Sequence, residues 1–232
     1  TIVVFSTDNG PHRNTLPDAG TTWFRSEKNT NWEGAYRVPL LLRWPGMVDA
    51  GSVCNEIVGS HDWLPTLVRA AGEPDVVEKL KQGYEANGKT YKVHIDGYDL
   101  TPYLSGEADE HSRPGFIYFS DDGDVVAMRY HNWKIVFMEQ EVKGTLYLWM
   151  YPFTTLRTPK IFNLRTDPFE YADITSNTYY DSILRHEFLF APAQKIVGEF
   201  LQTFVDFPPR QKAASFSLDQ VLEKLQSGVR SN

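Results

Sequence analysis

Asp8 and Asn9 set a carboxylate and an amide oxygen side by side, and Lys28 follows further along the chain. Hard cations such as calcium take oxygens of these two kinds. A cation held there needs an anion to act on. Lys28, in the run Ser26-Glu27-Lys28-Asn29-Thr30-Asn31-Trp32-Glu33-Gly34, offers a mobile ammonium from a loop able to fold over it. Glu33 and Arg37 are placed to brace that loop. A metal and a lysine around one oxyanion make a site for displacement at sulfur or phosphorus. On these residues alone a plainer reading stays open, because Asn9-Gly10 is also a strong turn signal.

The elements that must position these groups start at the first residues. Ile2-Val3-Val4-Phe5 is an unbroken apolar run, the pattern of a strand buried on both faces as parallel strands are. Ligands bind at the carboxyl ends of strands in open α/β sheets, which is where Asp8 and Asn9 fall, with Gly10 for the sharp turn. Residues 11–32 show no period and read as loop. Leu40-Leu41-Leu42 predicts a second buried strand, closed by Trp44-Pro45-Gly46, and residues 53–58 a third. Cys54 lies in that third segment without a nearby histidine, so a buried, inert thiol is expected.

Residues 60–72 predict a helix, capped by Ser60 or Asp62, with Pro65 in its first turn and Gly72 at its end. Leu64, Leu67, Val68 and Ala71 share its apolar face, and His61 reads as a structural hydrogen-bonder. Residues 73–94 are polar and read as a surface excursion, followed by a short helical turn within 96–106. From Gly115 the period shortens. Strands are expected over 116–119, 125–130, 133–137, 145–149 and 160–164, joined by hairpins into an antiparallel sheet. Asp121, Asp122 and Asp124 lack the ligand spacing of a calcium loop and read as an exposed turn. Helices are expected over 179–206, divided or kinked at Pro192, and over 217–228. The fold class is therefore α/β. A parallel or mixed sheet over residues 1–110 precedes a smaller antiparallel sheet with packed helices over 111–232.

With 41% hydrophobic residues the chain can bury a real core, and its net charge of −7 argues against a nucleic-acid partner. Residues 1–46 nevertheless hold five Lys/Arg against four acids, so positive charge sits beside the proposed metal, where it would steer an anion. No apolar run is long enough to cross a bilayer, so no membrane partner is evident. A chain that opens on a buried-type strand reads as part of a longer protein, and its cellular location is not readable.

Taken in order, Thr7-Asp8-Asn9-Gly10, Lys28, Glu33-Gly34, Arg37-Val38-Pro39 and Trp44-Pro45-Gly46 resemble the second half of a type I sulfatase. These are the formylglycine-dependent arylsulfatases of the alkaline phosphatase superfamily. The resemblance continues through Asp62-Trp63-Leu64-Pro65-Thr66-Leu67, Asp96-Gly97-Tyr98-Asp99-Leu100, Ala127-Met128-Arg129, Trp133-Lys134, Ile161-Phe162-Asn163-Leu164, Asp167-Pro168 and Glu170. It implies that residues 1–110 are the closing part of the catalytic α/β domain and 111–232 a C-terminal subdomain. It further implies that Asp8 and Asn9 are ligands of Ca2+, that Lys28 contacts the sulfate group, and that Glu33 and Arg37 hold the lysine loop. His12 matches no assigned position, and both substrate contact and a solvent-facing loop imidazole stay open for it. The family's nucleophile is a formylglycine made from Cys or Ser in a Cys/Ser-x-Pro/Ala-x-Arg run. Cys54-Asn55-Glu56-Ile57 is not that run. The implied substrate is a small sulfate ester, the implied partner is a missing N-terminal half carrying the formylglycine, and the isolated chain is expected to be inactive. Three alternatives remain: a phosphonate monoester or phosphodiester hydrolase of the same superfamily, a non-catalytic binding module, and a purely structural C-terminal domain.

Overall fold

The computed structural model describes residues 1–13, 17–18, 20–109, 113–142, 144 and 146–210. The helix expected over 217–228 lies outside them.

Strand β1 (Val3–Ser6) forms where the apolar run begins, but it pairs antiparallel with β2 (Leu40–Arg43), Val4 opposite Leu42 and Ser6 opposite Leu40. This corrects the expectation of neighbouring parallel strands. It also corrects the expected burial: Phe5 is 64% and Leu41 67% exposed. The run calls for cover on both faces, and the described residues supply it on neither. The single turn α1 (Glu33–Tyr36) precedes β2. Residues 53–58 form no strand, and Cys54 is exposed rather than buried. A β-prone segment needs a ladder partner for its backbone groups, and none lies alongside among the described residues.

A 3₁₀ turn (Ser60–Asp62) leads into α2 (Trp63–Ala70). The Asp62 carboxylate accepts from the N–H groups of Gly59 at 2.7 Å and Tyr98 at 2.8 Å, fixing the helix entry. His61 serves as a hydrogen-bonder, 3.0 Å from the Arg113 guanidinium. The face carrying Leu64 and Leu67 is not packed, since both are exposed. The polar stretch that follows holds α3 (Val76–Gln82) and a hairpin of β3 (Tyr84–Ala86) and β4 (Lys89–Tyr91). Asn87-Gly88 makes its turn, both at positive φ, a signal the polar composition concealed. One turn, α4 (Thr101–Leu104), comes next.

The second sheet is antiparallel in the order β5 (Phe116–Phe119), β6 (Val125–Tyr130), β7 (Trp133–Glu139), β8 (Thr154–Asn163). The strand expected over 145–149 is instead the helical turn α5 (Tyr147–Met150). The end of β7 is already paired, Met138 with Thr155 and Glu139 with Thr154, so β8 occupies the place that strand would have taken. Beyond β8 come α6 (Ala172–Thr175), α7 (Tyr179–Arg185), a 3₁₀ turn (Glu187–Leu189) and α8 (Phe190–Asp206). Pro192 sits in the first turn of α8, where its missing N–H costs nothing, and the break between helices falls just before it.

The core is built on this second sheet. Val126, Ala127, Met128, Ile135, Val136 and Phe162 are fully or almost fully buried, with Tyr179, Ile183, Leu189 and Ala193 packed on them from the helices. Trp32, from the loop before α1, enters the same core and meets Phe162 edge to face at 5.8 Å. The loop carrying Lys28 is thus anchored in the second sheet rather than in the β1–β2 ladder. None of the described helices is long and apolar enough to cross a membrane.

Candidate active site

The end of β1 is tied down locally. The Ser6 hydroxyl donates to the Pro39 carbonyl at 2.9 Å, the Thr7 hydroxyl to the Asp8 carboxylate at 3.3 Å, and the Asn9 amide to the Gly10 carbonyl at 2.9 Å. Gly10 then passes against Gly34 so closely that a side chain at either position would run into backbone. The Gly10 N–H donates to the Ala35 carbonyl at 2.7 Å and the Lys28 N–H to the Pro11 carbonyl at 3.0 Å. These contacts lay the Asp8-Asn9 turn along the loop that carries Lys28.

Asp8, Asn9, Lys28, Glu33 and Arg37 all line one open cleft of about 1490 Å³, which also receives Trp149, His61 and Arg129. The Asp8 carboxylate is exposed, while Asn9, Lys28 and Arg37 are half-buried. The Lys28 ammonium stands 5.8 Å from the Trp149 ring, within cation–π range. His12 is half-buried behind that ring, edge-on to it at 6.0 Å, and does not line the cleft. Among the described residues no group of three or more His, Cys, Asp or Glu could hold a metal ion. Asp8 and Asn9 therefore offer at most three side-chain oxygens of the right chemistry, against the six to eight that calcium takes.

Glu33 is buried and collects donors from several elements. One oxygen accepts from the Tyr118 hydroxyl at 2.7 Å and the Lys134 ammonium at 3.1 Å; the other accepts from Arg37 Nε at 2.9 Å. Burial alone would raise its pKa, but Lys134, the Tyr118 hydroxyl and Arg37 outweigh burial and hold it at about 2. Glu170, also buried, meets the same Lys134 ammonium at 2.7 Å and accepts from the Glu33 N–H at 2.7 Å. With fewer donors to offset its burial, Glu170 is pushed up from the ordinary carboxylate value. The proposed braces of the lysine loop thus belong to a larger ionic cluster that reaches the second sheet. His61, exposed at the cleft beside Arg113, is shifted down, first by partial desolvation of its ring and then by that guanidinium against the pull of Asp62, which favours a neutral imidazole.

Sequence reasoning gave no site role to Lys134, Glu170, Tyr118 or Trp149. Lys134 left one visible trace, a charge enclosed in the otherwise apolar strand Trp133-Lys134-Ile135-Val136-Phe137.

Residues 1–73 match the family model described as Sulfatase. Human arylsulfatase A is 33% identical over 144 residues, which cover 60% of this chain and 25% of that protein. Mouse steryl-sulfatase is 33% identical over 138 residues, covering 57% of this chain and 20% of its own length. The crystal structure of a sulfatase from Pseudoalteromonas sp. superposes with a TM-score of 0.73 at 27% identity, covering 91% of this chain and 38% of that one. The sulfatase resemblance and the α/β fold class are borne out. The chain spans about a fifth to a quarter of the length of these curated relatives.

Proposed function

We propose that this sulfatase-family chain takes part in hydrolysing sulfate esters, with Asp8 and Asn9 as metal ligands and Lys28 as the cation that contacts the sulfuryl group. The observation carrying this reading is that the three side chains line one cleft, with the turn and the loop that bear them bonded together. Asp8 and Asn9 would hold Ca2+, and the ion would supply Lewis-acid polarisation of a sulfuryl oxygen. Lys28 binds another oxygen and stabilises negative charge as it develops on the leaving oxygen. Glu33, fixed by Lys134 and Tyr118, holds Arg37 beside the cleft and keeps positive charge near the anion. His12 acts from behind Trp149, as support for that wall rather than as a substrate contact.

The attacking group and the remaining metal ligands come, in this proposal, from sequence outside these residues. No Cys/Ser-x-Pro/Ala-x-Arg run occurs among the 232 residues, so a formylglycine elsewhere in the protein would supply the attack. The open apolar faces of the β1–β2 ladder support the same reading, since a buried-type ladder needs further layers to cover it. Residues 1–110 then close the catalytic domain and 111–232 form the C-terminal subdomain, with the lysine loop reaching from one into the other.

The test is a rate comparison in the full-length protein. Lys28→Ala should lower kcat/KM for p-nitrophenyl sulfate by about 10²–10³-fold, as loss of one group stabilising a developing oxyanion does. Phosphodiester substrates should be turned over more slowly than the sulfate. A Lys28→Ala protein working at the unmodified rate would remove the assignment.

A further inference from the structure

We propose that Lys134 is a positioning residue for Lys28: its buried ammonium fastens the lysine loop to β7 and thereby fixes where the Lys28 side chain stands in the cleft. This rests on the reading of Lys28 as the sulfate-contacting cation. Lys134 Nζ, fully buried, lies 2.7 Å from the Asn31 carbonyl oxygen, 3.1 Å from Glu33 and 2.7 Å from Glu170. Asn31 answers with its own side-chain amide, which donates to the Met138 carbonyl on β7 at 2.7 Å. Arg25, at the other side of Lys28, donates to the Glu170 carbonyl at 2.8 Å and pairs with Asp173 at 3.0 Å. The loop is therefore clamped on both sides of Lys28, and each clamp reaches Glu170.

The loop is also held away from relaxed backbone. Ser26 and Asn29, which flank Lys28, have φ of 65° and 71°, and Glu170 has φ of 55°. Non-glycine residues adopt these values at a cost that surrounding contacts must offset, and such outliers gather at functional sites. A buried ion cluster is a poor choice for stability alone, because apolar replacements of similar volume often do as well. What the ammonium adds is direction: its bonds to one carbonyl and two carboxylates select a single loop position. Through Glu33 the same cluster orients Arg37, which lines the cleft.

The experiment uses the full-length protein and four variants: Lys134→Met/Glu170→Gln, which removes one charge of each sign; Glu170→Gln alone; Val136→Ala, a core truncation on the same strand; and Lys28→Ala. The double variant should lose about 10- to 100-fold in kcat, the order expected for a misplaced group. Its KM should stay within about two-fold, since the lost contact matters in the transition state. Trypsin should cut the folded double variant after Lys28 faster than it cuts the unmodified protein. Val136→Ala should lower Tm while leaving kcat and Lys28 cleavage as they were. If the double variant does not fold, Glu170→Gln alone carries the test and should show the same changes in smaller degree. Unchanged kcat and cleavage in the folded variants, with Lys28→Ala impaired, overturns the role of Lys134 alone. A Lys28→Ala protein of normal rate overturns the reading beneath it as well.

Discussion

The guanidinium carbon of Arg25 lies 3.6 Å from the ring centroid of Trp32, so a charged loop residue covers an aromatic side chain that is itself part of the core of the second sheet. Loop and core are one packed unit here. Trp32→Ala should destabilise the protein by about 3–5 kcal/mol, the usual cost of emptying a buried aromatic site. Urea denaturation checks it, and the loop's amides should lose exchange protection along with those of β7.

Gly10 and Gly34 meet where the Asp8-Asn9 turn touches the lysine loop. Gly10→Ala puts a methyl group against the Gly34 carbonyl and has to push the turn and the loop apart. Overpacking of this kind costs about 1–3 kcal/mol. Activity of the full-length protein should fall further than stability does, because the displacement separates Asp8 and Asn9 from Lys28. Thermal denaturation and sulfate ester turnover, measured on the same samples, decide the point.

Glu33 and Glu170 should give opposite pH signatures. The folded-state pKa of Glu33 is held at about 2, below its ordinary 4.5. Its contribution is therefore fully present above pH 4.5 and is lost as pH falls through about 2. Glu170 is shifted upward, so its contribution is present below 4.5 and is lost as pH rises through its raised value. The stability difference between the unmodified protein and Glu33→Gln should shrink with falling pH. That for Glu170→Gln should move the other way. Denaturant midpoints across this range measure both.

Calcium should do little to the 232 residues by themselves. Asp8 and Asn9, the proposed ligands, would cover a small part of the coordination the ion takes, so weak binding and small stabilisation follow. Micromolar calcium should raise Tm by less than about 2 °C, under the shift expected from 1 kcal/mol in a protein of this size. Aryl sulfate turnover by the same polypeptide should be undetectable.

Ordered local signals were legible in the sequence. Turn chemistry between short apolar runs identifies β5, β6 and β7, because hairpins are made by neighbours in the chain. The strand assigned to 145–149 failed because its aromatic residues fit a strand locally while β8 already occupies the ladder position. Motif order singled out Asp8, Asn9 and Lys28, which the fold brings to one cleft. Lys134 and Glu170 were not: they stand 101 and 137 residues from Glu33 in the chain, and only the folded sheet brings them to it. Cys54 departs from expectation for a related reason, since composition indicates how buried a thiol usually is, not whether anything stands over it.

The β1–β2 ribbon has a practical consequence. Two short strands with apolar side chains open to water, and with no further strand on either edge among the described residues, are a template for another strand. Handled by itself, the 232-residue polypeptide will stick to its own copies through Phe5 and Leu41, and polar replacements at those two positions will keep it dispersed during purification.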